Sequence, residues 1–191
     1  MSDELLLERA KGGDQAAFIE LYERHRNAVF RFAYRLLGSY ETAEDVTHDC
    51  FLSLLRRPGG FEPSRGGLRT YLFAAARNLA MKHFRSSSRE DALEELSVEP
   101  PMPVREQPLN RLLDEELSQR VKEAVTSLPP LQREALVLFE YEGLALSEIA
   151  EVVGSDVGAV KARLHRARER LRSTLRPYLN SALEIATLER P

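Results

Sequence analysis

Residues 143–171 read GLALSEIAEVVGSDVGAVKARLHRARERL, and everything else in the chain is best read outward from them. Ser147 is placed to cap a short helix whose Ile149, Ala150 and Val153 face inward. Gly154 then supplies a tight turn, where a positive φ costs glycine least. Ser155 or Asp156 caps a longer helix with an apolar stripe of Val157, Val160, Leu164, Ala167, Leu171 and Leu175. Steps of three and four residues put that stripe on one face. A short helix, a glycine turn and a long second helix make a helix-turn-helix.

The residues outside the stripe are mostly basic. Lys161, Ala162, His165 and Arg166 occupy the N-terminal half of the second helix, the part that enters a major groove. Lys and Arg there donate to guanine O6 and N7, and a small side chain meets a thymine methyl. Arg163, Arg168, Arg170 and Arg172 are placed for phosphates. The competing reading is a solvated basic helix laced with salt bridges. Glu169 is the only acid between Val157 and Arg176, so pairing within the helix cannot absorb those charges, and the spacing favours duplex DNA.

A net charge of −3 suits a DNA binder poorly until it is mapped along the 191 residues. Between Phe61 and Arg89 six basic residues (Arg65, Arg69, Arg77, Lys82, Arg85, Arg89) face Glu62 alone. From Glu90 to Gln119 nine acids face only Arg105 and Arg111, and from Gly154 to Arg176 seven bases face Asp156 and Glu169. Two basic stretches flank an acidic one, a pattern that whole-chain charge conceals.

The remainder is helical in period, with little β-branched alternation. Helices are predicted over about Asp3–Lys11, from an Asp14 cap to Gly38, from after Ser39 to Pro58, and from Leu68 past His83, with Leu68, Leu72, Ala75, Ala76, Leu79 and His83 along one side. Residues 86–108 hold Pro100, Pro101, Pro103 and Pro108 among Ser and Glu, too polar to offset their ordering entropy by burial. Periodicity resumes at Leu109, is broken at Pro129-Pro130, and continues over Leu131 to Tyr141. The predicted class is all-α: two small helical domains, 1–89 and 109–191, joined by a flexible acidic linker at 90–108. The tail from Pro177 to Pro191 is either a packed helix or a regulatory contact.

Several functions are disfavoured by composition. No apolar run reaches the roughly 18–20 residues of a membrane span. The start, Met1-Ser2-Asp3-Glu4, is acidic where a secretory signal is basic, and a single cysteine, Cys50, fits a reducing compartment, so a cytoplasmic location is expected. His25, His48, His83 and His165 are scattered, which predicts no metal site and no cofactor. No glycine-rich phosphate loop or nucleophile–base set is present, so no enzymatic activity is expected.

On the third predicted helix Asp45, His48, Asp49, Leu52 and Arg56 share an outward face opposite Val46, Cys50 and Leu54. An acidic face around an exposed leucine suits a basic protein partner, or simply solvent. Here the chain resembles bacterial sigma factors. Residues 43–52, AEDVTHDCFL, look like the polymerase-binding helix, and residues 68–80, LRTYLFAAARNLA, like the helix after it. Residues 128–135, LPPLQREA, and 157–168, VGAVKARLHRAR, resemble the start and the recognition helix of the second domain. The two-domain layout is similar to the extracytoplasmic-function group.

That resemblance implies a set of roles. Asp45, His48, Asp49, Leu52 and Arg56 would bind the coiled coil of the largest subunit of core RNA polymerase, with a further contact at the polymerase flap. Phe61, Arg65, Arg69, Tyr71, Arg77, Asn78, Lys82 and Arg85 would capture the melted minus-ten promoter element, Asn78 reading a base and the cations holding the strand. Ser155, Lys161, Ala162, Arg163, His165, Arg166 and Arg168 would contact the minus-thirty-five element as duplex. Promoter DNA and an anti-sigma factor are the other implied partners. The chain departs from the common family pattern in having His48 where Gln is frequent and Tyr71 where Trp is frequent; it has no Trp. Three rivals remain: a mimic that sequesters an anti-sigma factor, a repressor with a helical sensor domain, and a helical enzyme. Both basic clusters argue against the first, and the polar linker and lack of a dimerisation helix against the second.

Overall fold

The computed structural model describes the backbone of residues 1–56, 60–90 and 110–188, with side chains except those of residues 65, 85–90, 110–116 and 179–188. Almost all of the 90–108 linker expectation, and the side chains of Arg65 and Arg85, lie outside the described residues. The regular structure among the described residues is all helical, as the apolar spacing requires.

α1 (Asp3–Lys11) begins at Ser2, whose hydroxyl accepts from Leu5 N. α2 (Gln15–Leu37) is capped by Asp14, which accepts from Ala17 N at 3.1 Å, and ends at Gly38 with φ 75°. The backbone bond from Ala17, aided by Arg9, holds the Asp14 carboxyl below the usual carboxylate range. α3 (Tyr40–Arg56) and α4 (Leu68–Glu90) follow, separated by a 3-10 turn at Pro63–Arg65. α2 packs on α1, α3 and α4, and α3 on α4. Their core is Leu21, Phe32, Leu36, Phe51, Leu72 and Phe73, with Phe32 and Phe73 edge to face at 5.2 Å. α1 is tied on by Asp3, which receives Arg24 at 2.6 Å and meets His25 Nε2 at 2.7 Å.

The second half holds α5 (Asn110–Thr126), α6 (Pro130–Leu136), α7 (Leu146–Val153) and α8 (Val157–Leu188). α6 runs on into one π turn, Val137–Tyr141. Pro130 opens α6 at a first-turn position where its missing N–H is harmless. α8 packs against α5, α6 and α7. Its Val160, Leu164 and Ala167 are buried as the stripe predicts, but Val157 is 36% exposed because it lies in the first turn, ahead of the contact with α7. The helix continues through Pro177 to Leu188, so the tail backbone is helix rather than a separate element. Along α4, Leu68, Leu72 and Ala76 are buried as expected, joined by Phe73 and Ala80, whereas His83 is exposed.

The two halves touch. α2 packs on α5, α6 and the π turn, and α4 packs on α7. Buried apolar residues of both halves form one continuous cluster.

Candidate nucleic-acid and protein-binding surfaces

The helix-turn-helix is built by local chemistry. α7 starts at Leu146, one residue before the expected Ser147 cap, because Glu148 reaches back to accept from Ala145 N at 2.7 Å. Gly154 adopts φ 61°, ψ 46°, the left-handed cap that a side chain would resist. Asp156, one of the two anticipated caps, accepts from Ala159 N at 2.9 Å and opens α8. On α8, Lys161, His165 and Arg166 are exposed, and Ala162 is half-buried between them and the core. A narrow cleft of about 210 Å³ runs beside Lys161 and His165, walled by Phe139, Leu146, Leu164 and Arg168.

The cations on α8 are less free than their own helix suggests. Arg168 pairs with Glu140 at 2.7 Å, Arg163 with Glu134 at 3.3 Å, and Arg172 with Glu169. Two of those acids come from outside the helix, so the inference from Glu169 alone undercounted the available partners. Lys161, Arg166 and Arg170 are exposed and form no ion pair among the described residues.

On α3, Asp45, His48, Asp49 and Arg56 are exposed and Leu52 is 41% exposed, on the face opposite buried Val46, Cys50 and Leu54. His48 stacks on Tyr22 of α2 with ring centroids 6.4 Å apart, which orients its imidazole without burying it. Cys50 lies under this face, and burial pushes its thiol up to about 12.

The other predicted residues gather along α4 and the loop before it. Phe61 is 7% exposed and packs edge to face on half-buried Tyr71 at 5.6 Å, so its ring supports the loop from beneath. Gly66 has φ 147°, and a Cβ there would lie 3.1 Å from a Glu151 carboxylate oxygen. Asn78, Lys82 and Arg69 are exposed and Arg77 is half-buried, and both arginines have partners in the second half. Arg69 donates to the Glu142 carbonyl at 2.7 Å, and Arg77 grips Glu134 through Nε at 2.7 Å and Nη2 at 3.2 Å. The structure therefore brings Arg69 and Arg77 of one basic cluster and Arg163 of the other onto acids of the second half. It keeps Lys161, Ala162, His165 and Arg166 apart from them.

Sequence reasoning passed over the residues that make this junction. Glu134 is fully buried between Arg77 and Arg163. Glu142 lies 3.5 Å from Arg35 and 3.6 Å from Arg69, with Oε1 lacking a hydrogen bond. Burial pushes the Glu142 carboxyl up, against the pull of Arg31, Arg35 and Arg69. Arg133 donates to Leu36 O at 2.5 Å, to Leu128 O at 3.0 Å and to Thr126 O. The signal was legible in outline: Arg133-Glu134 interrupts an otherwise apolar run, and charges there must be paired to be buried.

Comparison with known proteins places this geometry in context. Residues 21–90 match the family model described as Sigma-70 region 2, and residues 118–171 that described as Sigma-70, region 4. The chain is 32% identical to the ECF RNA polymerase sigma-E factor of Escherichia coli K12, covering 94% of this chain and 97% of that protein. It is 34% identical to the ECF RNA polymerase sigma factor BldN of Streptomyces coelicolor over 85% of this chain, but spans only 61% of that longer relative. Among solved structures, the sigma factor RpoE from Bartonella quintana, crystallised with the anti-sigma factor NepR, superposes with a TM-score of 0.69 at 28% identity. That match covers 83% of this chain and 96% of the other.

Proposed function

Because this chain belongs to the sigma-70 family of RNA polymerase sigma factors, in its extracytoplasmic-function group, we propose that it binds core RNA polymerase and selects promoters through two separate DNA surfaces. The observation that carries the reading is the joint layout of α3, α4 and α8. An exposed acidic face with Leu52 at its middle stands on α3, a cation-lined α4 carries Asn78, and a helix-turn-helix presents Lys161, His165 and Arg166. The chain is a cytoplasmic initiation factor with no chemistry of its own in this reading. It works by differential binding: Lys161, Ala162, His165 and Arg166 hold the minus-thirty-five duplex, with Ser155, Arg163 and Arg168 on its backbone. The loop and α4 hold bases that exist singly only when the minus-ten element has opened. A factor that binds the melted form better than the duplex shifts the equilibrium toward it without ATP. An anti-sigma factor is the expected inhibitory partner, as for the Bartonella relative.

The α3 assignment is tested by co-elution of the purified chain with bacterial core polymerase on size exclusion, with Asp49→Lys as control. Asp49 is exposed, and a lysine there lies one turn from Asp45, a pairing that spares the helix. Stoichiometric co-elution by the parent chain, lost in the variant while its circular dichroism is unchanged, is the expected result. Normal complex formation by Asp49→Lys would remove α3 from the polymerase interface.

A further inference from the structure

The two DNA surfaces of the proposed function meet in this structure on acids of the chain itself. We propose that Glu134 is an internal latch: its carboxylate clamps Arg77 of α4 and Arg163 of α8 together, holding the free chain closed with both DNA surfaces partly occupied. This rests on the reading of those two arginines as DNA contacts.

The geometry is specific. Glu134 has no solvent exposure, Arg77 binds it through two nitrogens, and Arg163 shares its Oε1. Paired guanidinium–carboxylate contacts of this kind are the strong, directional ones, and they are the same contacts arginine makes to a phosphate. Two further groups of the second half follow the same line. The Glu142 carbonyl receives Arg69, and the Glu151 carboxylate stands over Gly66 in the loop. Going from the loop along α4, Gly66, Arg69 and Arg77 thus meet Glu151, Glu142 and Glu134 in turn. A strand of nucleic acid held by the same three positions would place negative oxygens where these now lie, so the second half competes with DNA in cis. Glu142 adds less than Glu134, since its carboxylate oxygens are 3.5 and 3.6 Å from the arginines and one lacks a hydrogen bond. Arg163 and Glu134 both belong to the second half, so their pair persists on opening, and the movement uncovers Arg69 and Arg77 on α4.

The test uses the full-length chain and Glu134→Gln, which keeps volume and hydrogen-bonding capacity but removes the charge. Two quantities are read: the radius of gyration by small-angle X-ray scattering, and the affinity of the free chain for a fluorescent single-stranded oligonucleotide. The expected result is an expanded Glu134→Gln chain that binds the oligonucleotide at least tenfold more tightly than the parent. Glu134→Asp, whose shorter arm cannot span both arginines, should shift both quantities in the same direction and serves if the Gln variant fails to fold. A compact variant with unchanged affinity overturns the latch. An expanded variant with unchanged affinity overturns the masking of DNA contacts. Failure of the underlying reading is scored separately, since it appears as loss of promoter-directed transcription by the parent chain with core polymerase.

Discussion

Replacing Arg133 by methionine should destabilise the whole chain by about 3–5 kcal/mol, what remains of three charge-assisted bonds to buried carbonyls after the cost of burying the cation. The structure gives the reasons. The side chain enters the junction from α6 and is nearly buried, with 8% of the residue exposed. Its guanidinium donates to Leu36 O in the last turn of α2, to Thr126 O at the end of α5, and to Leu128 O just beyond. Carbonyls at helix C-termini have no partner within the helix and carry the negative end of the dipole, so a cation there is doubly favourable. Each charge-assisted bond contributes about 1.5–3 kcal/mol, and the three together exceed the net figure. The excess is offset by the cost of burying the cation, visible in an Arg133 pKa held below its ordinary value by desolvation, and in an Nε with no partner. Methionine keeps the aliphatic volume but strands the three carbonyls.

For a domain of this size the loss corresponds to a fall in Tm of roughly 6–20 °C, read by differential scanning calorimetry. Arg133→Lys should recover part of it, because an ammonium reaches some of the carbonyls but cannot fork across two helix ends. Melting of the methionine variant within about 2 °C of the parent would refute the reasoning, since it would mean that the carbonyls find water or that the junction does not form.

Four other outcomes follow from the same geometry. Arg166→Ala should weaken binding to promoter duplex by about 1–3 kcal/mol in electrophoretic or anisotropy titrations without moving Tm, because Arg166 is exposed and makes no ion pair among the described residues. Gly154→Ala should cost roughly 1–2 kcal/mol from its φ of 61° alone, since nothing lies within 4 Å of the added methyl; an unchanged Tm would show the turn can relax. Cys50, buried with its thiol pushed up to about 12, should resist iodoacetamide in the native chain and react only on unfolding. Burial raises the Glu142 carboxyl above its ordinary 4.5, so the folded chain binds that proton more tightly than the unfolded one, and the associated stability is lost as pH rises through the folded value. Glu142→Gln should therefore gain in Tm relative to the parent between acid and neutral pH, and a gap that narrows instead would count against it.

Most of the helices could be read from the chain because their signals are local. Asp14, Gly38 and Gly154 are capping residues whose preference does not depend on the rest of the fold, and each stands at the helix end expected of it. The apolar stripe of α8 is equally local: Val160, Leu164 and Ala167 are buried, Val157 in the first turn is exposed, and Leu171 and Leu175 are half-buried. The outward face of α3 was legible for the same reason, since its period leaves Asp45, Asp49 and Leu52 no route to the core. At the junction the sequence shows that Arg133 and Glu134 need partners, but not which partners they find. Arg77 and Glu134 are 57 positions apart and Arg69 and Glu142 are 73 apart, and no period within one helix encodes contacts between two. Charge counting within α8 also misled, because Glu140 and Glu134 reach its arginines from elsewhere. The burial of Phe61, whose ring packs edge to face on Tyr71, was likewise not readable from local period.

The exposure of α3 sets an order of events for the proposed latch. Asp45, His48, Asp49 and Leu52 are open to solvent in the same conformation that occupies Arg69, Arg77 and Arg163. The proposed polymerase contact on α3 is thus available before either proposed DNA surface is complete, so in this scheme binding to the enzyme does not require the chain to open first. Salt cannot substitute for that step. Screening weakens exposed charges most and buried pairs least, so rising ionic strength would strip DNA from Lys161 and Arg166 before it loosened Glu134. The net charge of −3 then fits a DNA-binding chain: part of its acidity faces its own arginines. Opening must come from a partner that binds the two halves better apart than together, and its differential affinity has to exceed what the Glu134 clamp and the Arg133 anchor contribute.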